Sequence, residues 1–132
     1  MINLPIYYVE EKKTKADKTW LVGMNAYRNW HYHLSNKIKT HYHNLVAGST
    51  LPDPIDKGFT LSITIYYKNP SCDGSNIAAL MEKFTLDSLQ ELNIIKQDNV
   101  KHHLGTIWKI GGQDKENPRA EIEILPVKES DD

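Results

Sequence analysis

Residues 59–68, FTLSITIYYK, alternate side chains with a period of two and are rich in β-branched residues, which fits an extended chain. Phe59, Leu61, Ile63, Ile65 and Tyr67 form one face, and Thr60, Ser62, Thr64 and Tyr66 the other. Asn69-Pro70 breaks the strand, and the period then changes. From about Ser75 to Leu92, apolar residues such as Ile77, Leu80, Met81, Phe84 and Leu89 take up most of a helical circumference, with Ser75 placed as the N-cap. A helix that is apolar nearly all round must be covered on more than one side. In a chain of 132 residues a second copy is one way to cover it, so this helix is expected at a homodimer interface.

The rest of the chain supplies the partners for this strand and helix. Residues 2–9, INLPIYYV, read as a strand, on a sheet edge because Pro5 cannot donate to a ladder, and residues 19–22 as a second strand or the return of a hairpin. Between Met24 and Val46, Tyr27, Trp30, Leu34, Ile38, Tyr42 and Leu45 recur at steps of three and four, which predicts one amphipathic helix with Asn25 as N-cap and Gly48 as its stop. Residues 51–58 are a turn-rich linker, and residues 100–110 and 120–127 read as strands around a turn-forming loop. The expectation is an α/β (α+β) fold: one small mixed β-sheet of four to five strands with two main helices. A single domain would span residues 1–128, with an acidic tail at 129–132.

Composition excludes several classes. No apolar run approaches the ~20 residues of a membrane span, and no signal-peptide pattern opens the chain. Cys72 is the sole cysteine, so an intrachain disulfide is impossible and a reducing cytoplasm is the expected compartment. The net charge of −1 argues against broad nucleic-acid binding but leaves room for a local basic face. Such a face is carried by Arg28, Lys37 and Lys39, with His31, His41 and His43, and reads either as a solvated helix surface or as a set of phosphate contacts. The pairs His31/His33 and His41/His43 scatter around a helix at ~100° per residue, so they do not build a metal site from that helix.

Two aspartates flank the central helix, Asp73 in the turn before it and Asp98 in the loop after it. Asn76, Lys83 and Asp87 fall in one narrow helical sector, and Lys83 and Asp87 are an i,i+4 pair in the weaker order for helix support. Two carboxylates brought together are what a magnesium-dependent phosphodiester hydrolase needs.

The run D-x-x-N at 73–76, E-K-F-x-x-D-x-L at 82–89, a loop aspartate and a terminal β-hairpin, behind an upstream MNAYRN, resembles the RusA family of Holliday junction resolvases over residues 23–124. The phage-encoded branch is the most similar. The resemblance implies a homodimeric endonuclease that uses Mg²⁺, with Mn²⁺ as a substitute, to cut four-way or branched DNA. It implies Asp73 and Asp98 as catalytic metal ligands, Lys83 as the catalytic cation (about one helical turn further from the motif than in the family) and Asn76 as a supporting residue. Ser75 stands where the family has a second aspartate, and a hydroxyl is a weaker magnesium ligand than a carboxylate. Asp87 reads as a structural partner of Lys83, while Arg28, Lys37, Lys39 and Lys101 are candidates for phosphate contacts. The setting implied is the cytoplasm of a bacterial host or a phage-infected cell. The competing class is a non-enzymatic junction binder or phage regulatory protein on the same fold.

Overall fold

The structure is a computed structural model that describes residues 1–96 and 99–127. Its elements in chain order are β1 (Ile2–Pro5), β2 (Tyr7–Glu10), β3 (Lys18–Leu21), α1 (Met24–Asn29), α2 (Tyr32–Ala47), β4 (Phe59–Tyr67), α3 (Gly74–Glu91), β5 (His103–Gln113) and β6 (Arg119–Pro126). The alternating run becomes β4, and the side chains of Phe59, Leu61, Ile63 and Ile65 are fully buried. Strand β4 lies inside a mixed four-stranded sheet of order β1-β6-β4-β5, parallel to β5 and antiparallel to β6. Its parallel partner requires a crossover, which α3 supplies. Strands β2 and β3 pair antiparallel as a separate two-stranded sheet, the hairpin expected near the N-terminus.

Three local expectations are corrected. Residues 2–9 are two strands in different sheets. Ile6 is fully buried between them, and its carbonyl accepts from the Val22 N–H at 2.9 Å, so the chain changes sheets there. Pro5 does lie on an edge strand, β1. The helix expected over 24–46 is broken into α1 and α2 at Trp30 and His31, both extended. Trp30 turns edge-on to Trp20 and Tyr27, and His31 Nδ1 accepts from the His33 N–H as the cap of α2. Gly48 is the C-cap of α2 as expected, but the N-cap of α1 is Gly23 rather than Asn25. The terminal hairpin does not form, because β5 and β6 flank β4 on opposite sides. The loop joining them crosses the end of β4. There the Asp114 N–H donates to the Tyr67 carbonyl, and Arg119 donates to Asp114 and Glu121 at 2.8 and 3.0 Å.

Helices α2 and α3 cover one face of the sheet. Ile38, Tyr42 and Val46 from α2 and Ile77, Leu80 and Met81 from α3 meet the buried residues of β1, β4 and β6 in one core. Each large apolar side chain buried this way contributes ~1.5–3 kcal/mol. Tyr42 also donates its hydroxyl to the Pro5 carbonyl, tying α2 to β1, and burial pushes its pKa far up. The apolar surface of α3 is therefore covered within a single chain: Ile77, Leu80, Met81 and Leu89 are fully buried. That removes the premise for a dimer through this helix. Several large apolar side chains stay in solvent, and four of them share β5, where Leu104, Ile107, Trp108 and Ile110 are 51%, 73%, 41% and 46% exposed. No helix among the described residues is long and apolar enough to cross a membrane.

Candidate functional site

The site is built where β4 hands over to α3. In the turn after β4, Asn69 Oδ1 accepts from the backbone N–H and hydroxyl of Ser71 at 3.1 and 3.0 Å, and its carbonyl accepts from the Cys72 N–H at 3.1 Å. Cys72 is a half-buried turn residue, as its position in the sequence implies. The turn delivers Asp73 in an extended conformation as the N-cap of α3, the place the sequence reading gave to Ser75. One oxygen, Oδ1, accepts from the Ser75 N–H at 3.1 Å, the Ser75 hydroxyl at 2.8 Å and the Asn76 N–H at 3.4 Å. These bonds favour the charged form, the Ser75 hydroxyl foremost, and hold the exposed carboxyl below the usual aspartate range. Among the described residues no hydrogen bond engages Oδ2.

Asn76 faces the other way. Its Oδ1 accepts from the Asn25 N–H at 2.6 Å, in the first turn of α1. Helix α1 begins at Gly23, which has no side chain to cap it, so Asn76 performs that task from a neighbouring helix. The close approach needs glycine at 23, because a Cβ there would lie 2.3 Å from Asn76 Nδ2. On the opposite side of the turn, a Cβ at Gly74 would lie 2.8 Å from the Trp108 ring, so β5 packs directly beneath the start of α3.

Lys83 is ten residues beyond Asp73, ~15 Å further along the α3 axis, and is paired with Asp87 at 3.3 Å. The structure thus brings Lys83 to Asp87 and not to Asp73. Asp87 lines a groove of about 520 Å³ between α2 and α3, together with Lys39, His43, Ser88 and Glu91. His43 lies 3.2 Å from Glu91 across it. Sequence reasoning missed this groove, although Lys39/His43 and Asp87/Glu91 are each i,i+4 pairs that could have signalled two facing helix surfaces.

The four phosphate-contact candidates are all exposed but dispersed. Arg28 is on α1, whose first turn Asn76 holds against the start of α3. Lys37 and Lys39 are on α2, with Lys39 5.4 Å from the Tyr27 ring. Lys101 precedes β5, at the end of the strand away from Gly74. Asp98 lies outside the described residues, as does the acidic tail at 129–132. Ile95, which bridges Ile55, follows the end of α3 opposite Asp73, with ~27 Å of helix between.

Magnesium is held by one or two carboxylates plus water and phosphate oxygens. Asp73 Oδ2 fits the part of one such ligand. The Ser75 hydroxyl is committed to Asp73 Oδ1 and the Asn76 Oδ1 to α1. Among the described residues no group of three or more His, Cys, Asp or Glu side chains is placed to hold a metal ion. His31 is a cap rather than a helical residue, and its ring stacks on His33 at 5.0 Å. No family model matches the chain, and no curated protein matches it either.

Proposed function

We propose that the chain is a Mg²⁺-dependent endodeoxyribonuclease acting as a homodimer on four-way or branched DNA. The observation that carries the reading is Asp73: an exposed carboxylate kept ionised by its own helix terminus, with Oδ2 open to a ligand. It is joined to the order of motifs that resembles the RusA family. A bound magnesium or manganese ion would supply an acidified water and neutralise charge on the scissile phosphate. Asp73 is its ligand in the described part of the chain, and Asp98 is the second carboxylate by resemblance. Ser75 fixes the Asp73 carboxylate and holds its charge, the part left to a residue that replaces an aspartate. Asn76 pins α1, and with it Arg28, beside the turn, so that Arg28 meets a phosphate near Asp73. Lys37, Lys39 and Lys101 contact the duplex arms further out. Lys83, neutralised by Asp87, has no step in the reaction. The dimer belongs to the reading because paired cuts across a junction need two related active sites.

One alternative is favoured by a specific observation. Asn76 and Lys83 each have a structural partner, and the motif's second aspartate is Ser75, as in a protein that keeps the fold to bind junctions without cutting them. Incubation of a synthetic four-way junction with the protein and Mg²⁺ or Mn²⁺ decides. Symmetric cleavage that disappears in Asp73→Asn and Asp98→Asn is expected. Junction binding with no metal-dependent cutting by the unaltered protein overturns the nuclease reading and selects the binder.

A further inference from the structure

The two edges of the four-stranded sheet differ. The β1 edge is four residues long and ends in Pro5, both devices that block strand addition. The β5 edge is eleven residues long and contains no proline and a single Lys or Arg, Lys109. Its pairing with β4 is regular from Gly105 to Ile110, between register shifts at either end, and leaves the outer backbone groups of that stretch without a strand partner. The same stretch holds Ile107, the most exposed side chain of the patch, with Trp108 and Ile110. Thr106, Trp108 and Ile110 lie on the helix side of the sheet, level with Leu61, Ile63 and Ile65, and Ile107 lies on the open side, level with Ser62.

We propose that β5 pairs antiparallel with β5 of a second copy, about a two-fold axis at Ile107, so that the two sheets continue into one of eight strands. The proposal rests on the homodimer of the proposed function and names its surface. The sequence of the edge is self-complementary in this register. Ile107 faces Ile107 of the partner subunit, Thr106 and Trp108 face each other, and Lys109 faces a glycine, where it opposes no like charge. Centring the axis on Lys109 would set the two lysines against each other. Charge also matches along the edge. Antiparallel pairing brings Lys101, before β5, toward the end of the partner's strand on which Gly74 packs, next to the exposed carboxylate of Asp73. A peptide strand added from another protein would satisfy the backbone but has no reason to match this symmetry.

The test is sedimentation velocity of the full chain at micromolar concentration without DNA or metal, so that its outcome is independent of nuclease activity. The unaltered protein is expected as a dimer. Ile107→Asp sets two carboxylates face to face and should raise the dissociation constant at least ~100-fold, because the change is felt twice across the axis. Its circular dichroism should be unchanged, since Ile107 is 73% exposed. Ala79→Glu, on the exposed strip of α3, should leave the dimer intact. In a Cys72→Ser background, Ile107→Cys should give a covalent dimer on oxidation, whereas Asn93→Cys should not. A monomeric unaltered protein, a dimer indifferent to Ile107→Asp, or a dimer lost in Ala79→Glu each overturns the proposal.

Discussion

Asn76 and Gly23 provide a double-mutant cycle that separates a capping role from a purely catalytic one. Removing the Asn76 side chain leaves the first turn of α1 without its acceptor, and the loss of an N-cap costs ~1 kcal/mol. Asn25 is exposed, so water replaces part of the bond and the cost stays near that figure. Gly23→Ala is compatible with the backbone there, at φ −145° and ψ 160°, so any cost comes from space. Its Cβ would lie 2.3 Å from Asn76 Nδ2 and 2.9 Å from Cγ, which forces the amide away from Asn25. That loses the cap and adds ~1–2 kcal/mol of overpacking, for a total of ~2–3 kcal/mol. In the double variant the cap is lost once and the obstructing atoms are gone, so the total returns to ~1 kcal/mol and the coupling is about −2 to −3 kcal/mol. Urea unfolding followed by circular dichroism and tryptophan fluorescence measures all four corners, with Trp20 and Trp30 packed together beside α1 as local reporters. On this chain length each kcal/mol corresponds to ~3–5 °C in Tm. Additivity of the two substitutions within ~0.3 kcal/mol, or an Asn76→Ala variant as stable as the parent, refutes the assignment of Asn76 as the cap of α1.

Other outcomes concern Asp73, Ser75, Lys83 and Tyr42. The folded-state pKa of Asp73 is lowered, so its contribution is present above the unfolded-state pKa and is lost as pH falls through the folded value. Below pH ~4 the Tm of the parent should therefore drop more steeply than that of Asp73→Asn, and parallel curves would contradict the hydrogen-bonding scheme. Ser75→Asp adds a carboxylate next to that of Asp73 and should lower the Mg²⁺ concentration needed for junction cleavage; an unchanged metal titration would place Ser75 outside the metal site. Lys83→Gln should leave the cleavage rate within about twofold of the parent, and a loss of more than tenfold would return the lysine to the reaction. Tyr42→Phe should cost ~1–2 kcal/mol in urea unfolding by stranding the Pro5 carbonyl, and a smaller loss would show that water reaches that carbonyl.

Strand β4 and helix α3 were legible because each has a single period that local sequence sets, alternation for one and a broad apolar circumference for the other. The break between α1 and α2 was not legible. Tyr27, Trp30, Leu34 and Ile38 keep helical spacing through it, no glycine or proline marks it, and its cause is the packing of Trp30 on Trp20 from a different sheet. The absent terminal hairpin has a similar origin. A short polar loop between two strands fits a hairpin, and only the affinity of both strands for β4 separates them. At the site, Asp73 was found as a pre-helix acid. Its role as the cap was hidden because Asp73, Ser75 and Asn76 are all good capping residues, and backbone geometry chooses among them. The partner of Asn76 is 51 residues away, beyond any local pattern.

Capping also bears on what the D-x-x-N spacing means. An N-cap aspartate engages the backbone of the second and third helical residues, so a polar residue three positions later is a natural companion of any capped helix. The motif alone therefore does not separate a nuclease from a well-terminated helix. The two roles are still compatible at Asp73, because the cap uses Oδ1 and leaves Oδ2 open. Substitution by asparagine exploits this division. Asn serves at an N-cap as well as Asp and keeps a carbonyl oxygen for Ser75 and Asn76, while the negative charge that a metal needs is gone. Asp73→Ala removes both functions at once. An Asp73→Asn protein that melts with the parent and cuts nothing would assign the charge to chemistry. Equal loss of stability in the asparagine and alanine variants would instead assign the charge to the helix terminus.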